Sequence, residues 1–299
     1  MSISGEGTIL DPFMVHTALE LRTALTLLDG SYVKMANNID CNDDCRRWTT
    51  LDVAASYLLM DNHDLLNIYA TDGAIVFNKT NGLFKIQNGR ILNLTLFNSV
   101  FNVSNYSDTG TDTDKYNNVL YDVAIKTTIT GCGSQSYIFN KGTYFDYCNV
   151  EVKSTLPTSS HHVFYVGSVA NCGTCFNDSK LVANTNNQDA AGPSCPFGIS
   201  GNFRNSRVEA KTDIECIEGA SGGYALGASS SATSSIFELK GNPNHQFNYL
   251  SASSSGVNPF NAGEMTITST RASEIPCSTA QMRNSAYLNS VGFYNQGVG

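Results

Sequence analysis

Clusters of Lys and Arg are missing from this sequence; the densest is the pair Arg46-Arg47, standing alone. The formal net charge is -8 and the pI near 5.0. Phosphate backbones need concentrated positive charge, so nucleic acid is excluded as an expected partner. Long apolar runs are missing too. Nothing approaches the roughly 18 consecutive apolar residues of a membrane-spanning helix, and no membrane insertion is expected. The opening MSISGEGTILDPF holds neither a basic region nor an apolar one behind it, and reads as leaderless. Charged residues are scarce at 15%, and Trp occurs once in 299 residues. The nine cysteines are odd in number and irregularly spaced, unlike the even frameworks of short secreted domains. Most of them read as buried, reduced thiols. Asn-x-Ser/Thr sequons at Asn78, Asn93, Asn102, Asn105 and Asn177 occur near the chance rate for so Asn-, Ser- and Thr-rich a chain.

What is abundant is Gly, Ser, Thr and Asn, the residues of tight turns between short strands. The chain is organised around Gly82–Val103, GLFKIQNGRILNLTLFNSVFNV. A Gly-Leu-Phe start leads through a Gln-Asn-Gly turn into Ile91 and then Leu92-Asn93-Leu94-Thr95-Leu96. That alternation is the period of a half-buried strand, with Leu92, Leu94 and Leu96 inside and Asn93 facing solvent. The phrase returns in Tyr137–Val152, Val163–Val182 and Pro196–Ala210. Each copy has an aromatic-containing apolar start, a Gly or Asn turn, an Asn or Asp-Ser corner and an alternating strand. Variable spacing around a constant phrase marks a solenoid, whose coils bury their apolar faces only by stacking. No copy has room for a crossover helix. The sequence therefore predicts an all-β parallel β-helix forming one domain over 1–299: an N-terminal cap over 1–40, coils over 41–270 and a C-terminal cap over 271–299.

Thr17–Leu28 is the one convincing helix. Thr17 is its N-cap and Glu20 at N3 completes a capping box; Leu19, Leu21, Ala24, Leu25 and Leu28 supply its apolar face, and Gly30 ends it. It would cover the open end of the first coil. Ser31–Asp40 reads as a strand running into a polar corner, and Asn102–Asn118 as a loop leaving the stack. Ile236–Leu239 and Met265–Ile267 look like the last coils. Ser278 to Asn289 reads as a short helix closing the far end.

Three clusters carry chemistry-bearing side chains. Asp61, His63 and Asp64 suggest a metal or acid/base group, against which stands a plain turn, Asp61-Asn62-His63, between two coil strands. Glu209, Asp213 and Glu215 alternate with Val208, Ala210, Thr212 and Ile214, which puts three carboxylates and Lys211 on one strand's solvent face. Such spacing suits a glycosidase pair, and equally a soluble strand. Cys172 and Cys175, with Cys195 and His161-His162, offer zinc ligands, or thiols packed as small apolar groups in a ladder. The turn, the soluble strand and the packed thiols are the expected readings. No residue is assigned a catalytic, cofactor-binding or metal-binding role, and no cofactor is expected.

Several phrases resemble surface and phage proteins with GLUG-type repeats. These are Gly7-Thr-Ile-Leu-Asp-Pro-Phe13, Thr17–Arg22, Asn38-Ile39-Asp40, Met60–Ile68, Gly82-Leu83-Phe84 with Ile91–Leu94, and Thr279–Arg283 with Tyr287-Leu288 and Gly292-Phe293. The resemblance implies a pectin-lyase-like right-handed β-helix. It implies no single activity, since such proteins include adhesins, phage tail and virion proteins, and glycan-processing enzymes.

The expected function is thus that of a virion-associated structural protein of a phage: a tail, fibre or capsid-decorating module, made in the host cytoplasm without a leader. Its expected partners are other virion proteins, further copies of itself in a homotrimer, and host surface glycans. One rival is a polysaccharide lyase or hydrolase using Asp146 or Glu151 with Glu209 or Asp213. A bacterial surface adhesin is the other.

Overall fold

A computed structural model describes residues 3–44, 47–71, 73–80, 82–97, 99, 101, 119–131, 139, 143–154, 174–185, 197, 199, 201–212, 223–226, 230–241, 243 and 246–294. Their strands form a 19-stranded sheet that rises through the chain coil by coil and a separate two-stranded one, Gln246–Phe247 with Thr266–Ile267, and every strand pairing is parallel. This is the predicted parallel β-helix.

Two ladders run the length of the stack. On the first, Phe13, Val33, Leu58, Ile86, Leu120, Phe145, Phe176, Phe203 and Ala232 are successive register partners, and all are buried. On the second, the inward column is Ile39, Leu65, Ile91, Ile125, Val150, Leu181, Val208 and Phe237. Burying each such side chain contributes about 1.5–3 kcal/mol. Phe145, Phe176 and Phe203 lie ring on ring at centroid distances of 4.6 and 5.2 Å, adding the offset-stacking attraction of aromatic pairs.

A corner separates the ladders in each coil, and one residue there takes the left-handed conformation. The series is Asn88, Asp122, Tyr147, Asp178, Asn205, Ser234 and Gly256, with φ between 45° and 64°. Asn and Asp tolerate this region and Gly favours it, which is why the corners read as Asn or Asp in the sequence. A buried side-chain ladder follows one or two residues later. Cys148 N–H donates to Ser179 Oγ (3.0 Å), Ser179 N–H to Ser206 Oγ (3.2 Å), Ser206 N–H to Ser235 Oγ (3.0 Å), and Ser235 N–H to Asn258 Oδ1 (3.0 Å). Each Ser hydroxyl in turn donates to a carbonyl, as Ser206 does to Arg204 at 2.7 Å. The buried amides of the turn are thereby satisfied without water.

The key strand departs from its expected phase. Ile91, Leu94 and Leu96 are buried, but Leu92 is only half-buried and stands on the outer face beside Leu66. Asn93, at φ 57°, is a second corner that shifts the alternation by one residue. It stacks on Asn67, also left-handed, whose side-chain amide bonds Asp40.

The N-terminal helix spans Ala18–Leu27, and Thr17 Oγ1 caps the Glu20 amide. The capping box does not close, because the Glu20 carboxylate accepts from the His16 amide instead. Ala18, Leu21, Ala24 and Leu25 are buried, whereas Leu19 and Leu28 point outward at 43% and 49% exposure. The expected C-terminal helix is two: Thr279–Met282, with a capping box from Ser278 and Gln281, and Ser285–Ser290, capped by Asn284. They close a small second core of Ile236, Cys277, Met282 and Phe293. The expected Asn102–Asn118 loop lies outside the described residues.

Candidate functional site

Asp61, His63 and Asp64 do not form a site. Asp61 and Asn62 both have positive φ and turn the chain between the strands Tyr57–Leu59 and Asp64–Leu66. Asp61 pairs with Lys34 at 2.9 Å, while Asp64 is buried and grips Arg90 bidentately at 2.6 and 2.8 Å. The turn is what the residues make. Among the described residues no group of three His, Cys, Asp or Glu could hold a metal ion. Of the thiol cluster only Cys175 is described, a buried free thiol that burial pushes up to about 11; Cys172, Cys195, His161 and His162 lie outside the described residues.

The acidic strand is confirmed as far as Thr212: Val208 and Ala210 point in, Glu209 and Lys211 out. Asp213, Glu215 and Glu218 lie outside the described residues. Glu209 lies between cations from two coils, Lys180 at 3.0 Å and Arg207 at 2.8 Å. Burial draws its carboxyl up, but the hydrogen bonds from Arg207 and Lys180 outweigh it and hold it below its ordinary value. Arg207 also reaches Glu238 on the next coil at 3.1 Å, and Lys126 pairs with Glu151 at 3.2 Å. A general acid needs a raised pKa and an open approach; Glu209 has the opposite. Glu151 and Glu209 share an outer column two coils apart with Val182 between them, and each is held by a cation.

The structure instead joins Asp146 to a residue that the strand pattern gave no reason to select. Asp178 occupies the left-handed corner one coil on. The side-chain amide of Asn177 donates to Asp146 Oδ1 and Asp178 Oδ2, both at 2.8 Å. Burial first, and the neighbouring Asp146 second, push the Asp178 carboxyl up against hydrogen bonds from Asn205 and Asn177. Tyr121 and the exposed Tyr147 meet edge to face at 5.6 Å at the same corner.

A concave surface lies elsewhere, near the N-terminal end of the first ladder. Tyr32 and Tyr57 are register partners on its outer face, with ring centroids 5.4 Å apart and planes tilted by 32°. They floor a groove of about 520 Å³ walled by Ile9, Pro12 and Leu83 and bordered by Lys34 and Lys85. The Tyr57 hydroxyl donates to the Gln87 side chain, and its pKa is raised by burial and then by Tyr32. These tyrosines stand 25 residues apart in a run with no motif, so only the register reveals them.

Comparisons with family models, curated proteins and solved structures found no match to the chain. Among the described residues no helix is long and apolar enough to cross a membrane.

Proposed function

We propose that the protein is a structural and attachment module of a phage particle, a β-helical rod carried as a tail, fibre or capsid decoration. The observation that carries this reading is the use of outer-face charge: Asp64, Glu151, Glu209 and Glu238 are each engaged by a cation of their own or a neighbouring coil. Those carboxylates knit coil to coil, and Glu209, the one carboxylate of the acidic strand among the described residues, is not a free acid. Rod-like rigidity is what a stack of satisfied corners supplies, and assembly as a homotrimer with contact to host surface glycans belongs to the same proposal. Mass spectrometry of purified particles should find the chain, and light scattering should give three copies per assembly. Release of reducing sugar or unsaturated uronate from host envelope fractions would sink the reading.

The enzymatic alternative has one observation in its favour. Asp146 and Asp178 share a single amide, and the raised Asp178 carboxyl is suited to hold a proton. If the chain cleaves glycans, Asp178→Asn abolishes the activity and Glu209→Gln does not.

A further inference from the structure

The groove over Tyr32 and Tyr57 has a charge opposite to that of the molecule. Its border carries two lysines and its lining no carboxylate, in a chain of net charge -8. The two lysines differ. Lys34 is held by Asp61 at 2.9 Å. Lys85, the register partner of Tyr57 one coil on, is half-buried, and its ammonium meets no partner among the described residues. The outer column therefore reads Tyr32, Tyr57, Lys85, one residue per coil at the strand spacing of about 4.8 Å.

From this geometry we infer that the groove binds a carboxylated saccharide, with sugar faces on Tyr32 and Tyr57 and one carboxylate on Lys85. Aromatic rings present broad apolar faces with a polar tip, which matches the mixed C–H and hydroxyl surface of a pyranose. The rung spacing is close to the length of one sugar unit, so adjacent residues of a chain fall on adjacent rungs. Gln87 and Ser56 border the rings with amide and hydroxyl groups. The apolar floor selects between anions. A polyphosphate chain has no apolar face to lay on Tyr32 and Tyr57, and one unpaired cation cannot replace its counterions. A saccharide lays its ring faces on the tyrosines and needs only the carboxylate on the third rung to meet Lys85.

This inference deepens the glycan contact proposed above and rests on it, but not on the particle setting. The isolated protein can be titrated calorimetrically with oligogalacturonate, with its fully methyl-esterified form, and with a neutral galactan oligomer. The acid form should bind, and esterification should weaken binding by roughly 10-fold or more, the worth of a charge-assisted hydrogen bond. Lys85→Gln should cost the same factor and abolish the distinction between acid and ester. Tyr32→Ala should remove binding to both, and Tyr32→Trp should retain it while controlling for folding. Equal affinity for acid and neutral sugars, no binding at all, or full binding by Lys85→Gln overturns the inference. So does displacement of the sugar by self-association of the protein. Sugar binding by a chain absent from particles would leave the groove standing and remove only the virion reading.

Discussion

The Ser206 amide donates to Ser235 Oγ at 3.0 Å while Ser206 Oγ accepts from the Ser179 amide at 3.2 Å. Ser206→Ala strands the buried Ser179 amide and should cost about 1–3 kcal/mol in denaturant unfolding. Ser206→Cys should cost less, because Cys148 already fills the equivalent place, its thiol donating to the Leu120 carbonyl at 3.2 Å. No loss from Ser206→Ala would mean that the ladder bonds contribute nothing.

Leu94 is fully buried and Leu92 is not. Leu94→Ala should destabilise by about 2–5 kcal/mol, and Leu94→Asp should abolish soluble expression. Leu92→Asp should be borne. At the corner between them, Asn93→Asp should be nearly silent. Asn93→Val forces a β-branched residue into the left-handed region and should cost about 1–2 kcal/mol. Thermal melts of the purified variants rank these effects.

Burial pushes the Cys148 thiol up to about 12 and that of Cys175 to about 11. Thiolate is the reacting species, so at pH 8 neither should be alkylated by iodoacetamide in the folded protein. In denaturant without reductant, most of the nine cysteines should react. Peptide mapping of the label checks both halves.

Glu209 lies below its ordinary value of 4.5 in the folded chain. The unfolded chain therefore takes up this proton first. The stabilisation is complete above the ordinary value and is lost as pH falls through the lowered one. Glu209→Gln should flatten the acid limb of the stability profile below about pH 4.5. Asp178 has the opposite sign. Its carboxyl is raised, so its ionisation weakens the fold at neutral pH, and Asp178→Asn should not lower stability there.

Much of the architecture could be read from local chemistry. Asn88, Asp178 and Asn205 announced corners because few other residues accept positive φ, and Ser179 and Ser206 followed them because a hydroxyl satisfies the turn's amides. Leu92 misled because alternation assumes an unbroken strand, and Asn93 breaks it with the same residue type that decorates a solvent face. Glu209 looked like a free acid because its partner Lys180 is fixed by coil register. The Tyr32–Tyr57 floor and the Asp146–Asp178 pair stayed hidden for the same reason: both join residues that only register makes neighbours.

The bonded corner residues Cys148, Ser179, Ser206, Ser235 and Asn258 are separated by 31, 27, 29 and 23 residues. Coil circumference is thus free while the junction between coils is not. Every junction accepts the same neighbour above and below. A genetic duplication or deletion running from one corner Ser to the next would therefore keep the corner ladder intact and change the rod by one step of about 4.8 Å. Its length behaves as a whole-number quantity, adjustable by recombination without redesign of the corners.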